Sequence, residues 1–408
     1  MEEHPQARYI VETLAKAGFV AYYAGGWVRD LLLNHPSDDI DIATNAPPET
    51  IQALFPHTIP VGIAFGIVIV VVDGRQYEVA TFRQDLDYKD GRRPSRIEFA
   101  TAREDAQRRD FTINGMFYDP LKEEVLDYVH GRVDLEAKVI RAIGDPHERI
   151  KEDRLRMIRA VRLACRFGFH IEAATEKAIR AHVDELFPAV AIERIWQEFT
   201  KGHDFGKLRL MLVKLHDFGL LASIFPQLKG VSLEEVERRL TPIKDYPLHA
   251  PVIASLLPLF NGSLKEELEL CKKLKLSNVD HQFVTFLSHA KELIHLERPV
   301  ERFEWAYFYA NAFAPICLQI LSAHFEPRRR VAFLREHEER MEELQRSINR
   351  IHKHDPVVKS DTLLKAGIQP GVTMGKLLKE ADRIAINEQL DEPAQVVERL
   401  KRLPIWPR

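Results

Sequence analysis

At 408 residues the chain is longer than one ordinary core, so two or more domains are expected. A hydrophobic fraction of 45% fits a soluble globular protein, and the lack of any apolar run of about eighteen residues excludes a transmembrane helix. A net charge of −3 argues against a broad, sequence-blind nucleic-acid coat while leaving room for basic residues gathered on one face; arginine is clustered over 149–166 and 328–350.

The start, MEEHPQARYIVETL, is acidic and lacks the basic-then-apolar order of a secretory signal. Cys165, Cys271 and Cys317 are far apart and show no metal or disulfide spacing. Reduced thiols in a cytoplasm are the expectation. A helix over Gln6 to Ala17 precedes the strand VAYYAGG, the helix WVRDLLLN and the strand DIDIAT. Pro47-Pro48 begin a helix through PPETIQALF. The stretch FGIVIVVVDGRQYEVATFR reads as a hairpin turning at Asp73-Gly74. Beyond Gly144-Asp145-Pro146 the pattern changes, and from Glu152 helical periodicity dominates. Helices are expected over 171–183, 192–201, 207–219, 233–240, 264–275, 281–296, 302–323, 328–352 and 373–388. The fold class is therefore α+β, an alternating strand-and-helix head followed by an all-helical remainder.

Asp39 and Asp41 stand two apart in DDIDIAT, and residues i and i+2 of a strand point to one face. Both carboxylates can then hold the same divalent cations, as hard oxygen ligands suited to Mg²⁺. Gly25 and Gly26 precede them, small enough to let triphosphate oxygens approach backbone N–H groups near a helix N-terminus. Arg29, early in that helix, can add a charge-assisted contact. Glu78, on the second arm of the hairpin, is the candidate third carboxylate beside the Asp39 and Asp41 strand. This set suits a metal-dependent enzyme handling a nucleoside triphosphate.

Arg108, Arg109 and Asp110 open RRDFTINGM, where Asp110 and Asn114 offer groups that could meet a ribose. In EDRLRMIRAVRLACRF, Asp153 and Arg156 are three apart and are expected on one helix face, with Arg159, Arg162 and Arg166 continuing the stripe. An ion-pair row on a helix surface is one reading. The other is chemical. Cytosine and adenine both show an exocyclic amine beside an unprotonated ring nitrogen. A fixed carboxylate that accepts from the amine, with an arginine that donates to the ring nitrogen, selects C and A. Uracil and guanine would leave buried groups unpaired, which is the stronger source of discrimination. The pairs His203-Asp204, His216-Asp217 and His354-Asp355 raise a metal phosphohydrolase, but no ligand set at helical spacing can be assembled around them.

Several stretches together resemble the class II tRNA nucleotidyltransferases, the group of CCA-adding enzymes and bacterial poly(A) polymerases. In order they are GGWVRDLLL with DDIDIAT, YEVATFR, RRDFTINGM, DYVHGRVDL, IGDPHERIKEDRLRMIRAVRLACRFGF and IERIWQEF, covering about the first 225 residues. SDTLLKAGIQPGVTMGKLLKEA resembles the family's tail, whereas 230–355 matches little. The resemblance implies a polymerase-β-like head over 1–145 and three all-α parts. These are a neck over 146–205 that recognises the base, a body over 206–355, and a tRNA-binding tail over 356–408. It implies that Asp39 and Asp41 bind Mg²⁺, with Glu78 the third acidic position. Gly26 and Arg29 match the triphosphate-binding pair, and Arg109 and Asp110 the motif that contacts ribose. Asp153 and Arg156 match the EDxxR pair that reads CTP or ATP, with Arg159 and Arg162 as further nucleotide contacts. Its partners would be tRNA, CTP and ATP, in the cytoplasm, with no membrane and no nucleic-acid template.

Related members add CCA, only CC, only A, or poly(A) tails. The segment 84–107, QDLDYKDGRRPSRIEFATAREDAQ, is full-length, which disfavours a CC-only enzyme. The end LPIWPR lacks the long basic tail of a poly(A) polymerase, while EDAQRRDFTIN also resembles that subgroup. Ile150 replaces the Phe of the usual GDPxxRF. An A-adding enzyme, a poly(A) polymerase and a non-catalytic RNA-binding protein on this fold are the alternatives to CCA addition. The intact carboxylate pair argues against the last.

Overall fold

The computed structural model describes residues 4–35, 37–61, 65–88 and 94–407, and for 85–88 and 94–97 the backbone alone. The first three residues of the acidic start and residues 89–93 of the 84–107 segment lie outside the described residues. The chain forms two compact units, Met1–Glu237 and Arg238–Arg408.

The first unit is built on strands β1 Ala21–Ala24, β2 Asp41–Thr44, β3 Thr58–Ile59, β4 Ile67–Val72, β5 Arg75–Thr81, β6 Arg83–Tyr88, β7 Pro94–Phe99, β8 Phe117–Asp119 and β9 Glu124–Leu126. Seven of them make one mixed sheet in the order β3-β4-β5-β2-β1-β8-β9, while β6 and β7 form a separate hairpin. Within the large sheet β2 and β5 run parallel, and the remaining neighbours are antiparallel. The β4–β5 turn has Asp73 at φ 49° and Gly74 at φ 76°, the left-handed pair a two-residue hairpin needs. On β5, Tyr77 and Val79 are buried and Glu78 is exposed, the strict alternation of a strand with one wet face. Sequence reading missed the β8–β9 hairpin, whose arms of three residues each are too short to show a period.

Helices α1 Pro5–Lys16, α2 Gly26–Leu32, α3 Pro48–Leu54, α4 Ala102–Gln107 and α5 Gly131–Glu136 belong to the sheet-bearing part. Helix α1 buries Ala7, Ile10, Val11 and Leu14, one stripe at helical spacing. Helices α6 Pro146–Glu152, α7 Arg156–Phe167, α8 Ala173–Ala181, α9 Ile192–Asp204 and α10 Leu208–Asp217 follow. One correction falls here. Asp153 and Arg156 were expected on a single helix, but α6 ends at Glu152. Asp153 is extended, at φ −148° and ψ 104°, and α7 begins at Arg156. The Asp153 carboxylate accepts from the Leu155 N–H at 3.1 Å, a local bond that competes with helix continuation. Likewise β2 begins at Asp41, so Asp39 precedes the strand.

Gly131 fixes how α5 packs. A Cβ there would lie 2.4 Å from the Thr112 carbonyl oxygen and 2.8 Å from Met116 Cγ. Gly131→Ala is expected to destabilise this unit by roughly 1–3 kcal/mol, the usual cost of overpacking, measured by denaturant unfolding.

The second unit is helical: Leu264–Lys273, Asn278–Ile294, Arg302–Tyr309, Ala314–Ser322, Pro327–His352, Ser360–Lys365, Val372–Asn387 and Pro393–Leu400. The single helix expected over 302–323 is two. Pro315 opens the second, and the Asn311 side chain accepts from the Phe313 N–H at 2.9 Å, closing the turn between them. The last helices are tied to the earlier ones of this unit. Glu301 accepts from Arg383 at 2.7 and 2.6 Å and from Asn387 at 2.9 Å, and Tyr307 donates to Asp382 at 2.5 Å. Leu363, Leu377, Val396 and Leu400 form their fully buried core. No helix among the described residues is long and apolar enough to cross a membrane.

Candidate active site

Register decides which acidic groups meet. Ile42 pairs with Val79 in the parallel β2–β5 ladder, so Asp41 and Glu78 each stand one residue earlier on neighbouring strands. On the other edge of β2, Asp41 pairs with Ala24, the last residue before Gly25. The Asp41 residue is exposed on one side, yet protein crowds its carboxylate on the others. That crowding, with Glu78 and then Asp39, pushes its carboxyl up to about 6, against the opposing pull of Arg109. The register thus sets Glu78 beside Asp41, while Asp39 precedes the strand and acts on Asp41 as a further like charge.

Gly25 has φ 68° and ψ −122° and caps α2. A Cβ there would sit 3.0 Å from Arg109 Nη1, and one on Gly26 would sit 3.4 Å from Arg29 Nη2. The glycine pair is therefore what allows two guanidiniums to lie against the strand-to-helix turn. Arg29 is buried; its Nε donates to Asp30 at 2.9 Å and its Nη1 to Asn114 at 2.6 Å. Arg109 lies over the Phe117 ring at 4.9 Å.

Asp110 is buried and accepts from the Phe111 N–H at 2.8 Å, Asn114 Nδ2 at 3.1 Å, and Arg159 at 2.8 and 2.6 Å. Burial works against its charge, but the Arg159 guanidinium and the Asn114 amide hold its carboxyl far below the ordinary range. Asn114 is bonded on both sides, its oxygen to Arg29 and its nitrogen to Asp110. It links two candidate nucleotide contacts, and one acceptor and one donor site of its amide remain beyond these two bonds.

The two base-reading candidates do not bond each other. Asp153 takes a bidentate contact from Arg194, at 3.1 and 2.7 Å. Arg156 donates to Glu152 at 2.5 Å and to the carbonyls of Arg149 at 2.7 Å and Arg108 at 3.4 Å. The arginine stripe beyond them is a set of ion pairs with other elements. Arg159 meets Asp110, Arg162 meets Glu198 at 2.5 Å, and Arg166 meets Asp30 at 3.2 Å. Arg162 is only 6% exposed, an interior position. Arg194 and Glu198, within IERIWQEF, were not among the residues the sequence singles out. Their i, i+4 spacing on α9 was the available signal.

Of the His-Asp pairs, His216 Nε2 bonds the Val231 carbonyl at 2.8 Å, and Asp217 accepts from Arg180 at 2.9 and 3.2 Å. No three His, Cys, Asp or Glu among the described residues are gathered tightly enough to hold a metal on protein ligands alone. Mg²⁺ does not require that. It is commonly held by one or two carboxylates with waters and substrate phosphates, so the oxygen donors of Asp39 and Asp41 fit it.

With the mixed sheet beneath it, this geometry defines a class, a nucleotidyltransferase with a polymerase-β-like head and a helical remainder. Residues 21–141 match the poly A polymerase head domain family, and 168–231 match the family described as the probable RNA and SrmB-binding site of polymerase A. A CCA-adding enzyme of Pediococcus pentosaceus is 34% identical over 95% of each chain. One from Streptococcus pyogenes is 32% identical over 99% of this chain and 98% of its own. The crystal structure of the Bacillus stearothermophilus CCA-adding enzyme in complex with CTP superposes with a TM-score of 0.78 at 28% identity, covering 97% of this chain and 96% of that one. The chain belongs to the CCA-adding enzyme family and is a tRNA nucleotidyltransferase.

Proposed function

We propose that this enzyme builds the CCA end of tRNA from CTP and ATP in the cytoplasm, and that the residues divide the work as follows. Asp39 and Asp41 hold Mg²⁺, with Glu78 beside them. The ion supplies activation of the 3′ hydroxyl and neutralisation of the triphosphate. Arg29 and Arg109, against Gly25 and Gly26, bind the triphosphate. Asp110, held by Arg159, fixes the motif that faces the ribose, and Arg162 supports that pair through Glu198. Asp153 and Arg156 read the base. The terminal hydroxyl forms the new bond to the α-phosphorus, the bond to the bridging oxygen breaks, and pyrophosphate leaves, with no covalent enzyme intermediate. Residues 1–145 act as head, 146–205 as neck, 206–355 as body and 356–408 as tail, the helical parts holding tRNA by shape and backbone.

The observation that carries this reading is the register that sets Asp41 beside Glu78 on β5 and beside Ala24, the last residue before the Gly25-Gly26 turn against which Arg109 lies. Like charges held together beside an arginine suit a cation and a polyanion. The test uses purified protein, Mg²⁺ and tRNA transcripts ending before CCA, after C and after CC. CTP and ATP are added singly and together, with products resolved at single-nucleotide length. Three additions to the first transcript and then a stop are expected. ATP use confined to the CC-ended transcript would mark an A-adding enzyme, and unlimited A addition a poly(A) polymerase.

A further inference from the structure

Asp105 is only 1% exposed and was given no role by the sequence. Its Oδ2 accepts from Arg109 Nε at 3.2 Å and Nη2 at 3.0 Å. Its Oδ1 accepts from Arg108 Nε at 2.9 Å and Nη2 at 2.7 Å, and from the Arg83 backbone N–H at 3.2 Å. A carboxylate has about four lone-pair sites, so this one is saturated. Its own position is fixed. Helix α4 begins with a capping box in which Thr101 N–H and Oγ1 both donate to Glu104 at 2.8 Å, and Arg83 is the first residue of the β6–β7 hairpin. Burial disfavours its charge, but Arg109 and Arg108 hold its carboxyl below the ordinary range.

A buried carboxylate that grips one side of a guanidinium leaves the other side to act. With Nε and Nη2 of Arg109 on Asp105, its Nη1 is the side turned to the strand-to-helix turn, 3.0 Å from a Cβ placed on Gly25, the residue after the Ala24 that pairs with Asp41. We propose that Asp105 is a positioning residue for nucleotide transfer, aiming the planar fork of Arg109 at the triphosphate side of the carboxylate cluster. This rests on the reading of Arg109 as a nucleotide contact. Arg108 and the Arg83 amide both bond the other oxygen, Oδ1, and so fix the carboxylate from its far side. Neither touches the carboxylate oxygen that grips Arg109.

The test is a double-mutant cycle in the full-length enzyme, reading ATP addition to a CC-ended tRNA. Asp105→Asn keeps the shape and removes the charge. It is expected to lower kcat/KM for ATP by about 10- to 100-fold, as displaced binding groups do, with tRNA affinity unchanged. In an Arg109→Ala background the same change is expected to cost nothing further, and Asp105→Glu to recover most of the loss. A purely structural carboxylate would cost as much in the Arg109→Ala background as in the native one, which would overturn the proposal. If Asp105→Asn does not fold, Arg109→Lys decides, since it keeps the charge and loses the fork. Loss as deep as Arg109→Ala supports aiming, and native kinetics overturns it. Unchanged ATP kinetics in Arg109→Ala itself would instead remove the underlying assignment of Arg109.

Discussion

Alanine in place of Asp41, or of Asp39, is expected to lower nucleotide transfer at least about 10³-fold, about 4 kcal/mol of transition-state stabilisation, while tRNA affinity stays at its native value. The reason lies in the register. Asp41 opens β2 between the last residue of β1 and the Glu78 position of β5, so its carboxylate is delivered by three hydrogen-bonded strands. Glu78 cannot take its place, because it is fixed one strand away. The fold does not depend on this carboxylate. Among the described residues no hydrogen bond or ion pair of the Asp41 side chain stabilises the strand, and burial, Glu78 and Asp39 disfavour its charge more than Arg109 favours it. Alanine therefore removes a repulsion, and the melting temperature should hold or rise as catalysis is lost, the usual signature of groups kept for function. Single-turnover addition, filter binding of tRNA and thermal unfolding on the same preparation check all three. Transfer that survives in both variants would mean that the metal is held elsewhere.

How much of this site could be read beforehand depends on how far apart the partners are in sequence. The positions of Gly25, Gly26 and Asp41 were legible because they lie within one local run, and that of Glu78 because a hairpin signal placed it on a neighbouring arm, whereas Asp39 falls just before the strand expected to carry it. Helical periodicity likewise anticipated Leu208–Asp217 and Pro327–His352 closely. The supporting ion pairs were not legible. Arg194 reaches Asp153 across 41 positions and Arg162 reaches Glu198 across 36. A sequence pattern reports only i, i+3 and i, i+4 neighbours on the same helix. This also explains the failure at Asp153. Its spacing to Arg156 fits a helix face, but the residue is drawn out of the helix by a bond to the Leu155 N–H and by a partner no local rule could supply. The bond from Arg29 to the Asn114 amide, across 85 residues, was out of reach for the same reason.

Base choice should then be sensitive to the supports as well as the readers. Arg156→Ala is expected to reduce the preference for C and A over U and G by about 10²-fold or more, because the penalty of unpaired buried groups disappears with the donor. Arg194→Ala leaves Asp153 in place but removes the two contacts that orient it. Its expected effect is a partial loss of the same preference, smaller than that of Asp153→Ala. Glu152→Gln should act similarly on Arg156, which keeps its bonds to the carbonyls of Arg149 and Arg108 and so retains part of its aim. Because these groups touch neither the carboxylate cluster nor the triphosphate side, addition of the correct nucleotide should fall less than discrimination does. The assay is competition among the four nucleoside triphosphates on a CC-ended tRNA, with the added base identified by mass. If Arg156→Ala still rejects UTP and GTP as the native enzyme does, the base is read by other groups. If Arg194→Ala discriminates normally while Asp153→Ala does not, Asp153 reads the base without needing to be held.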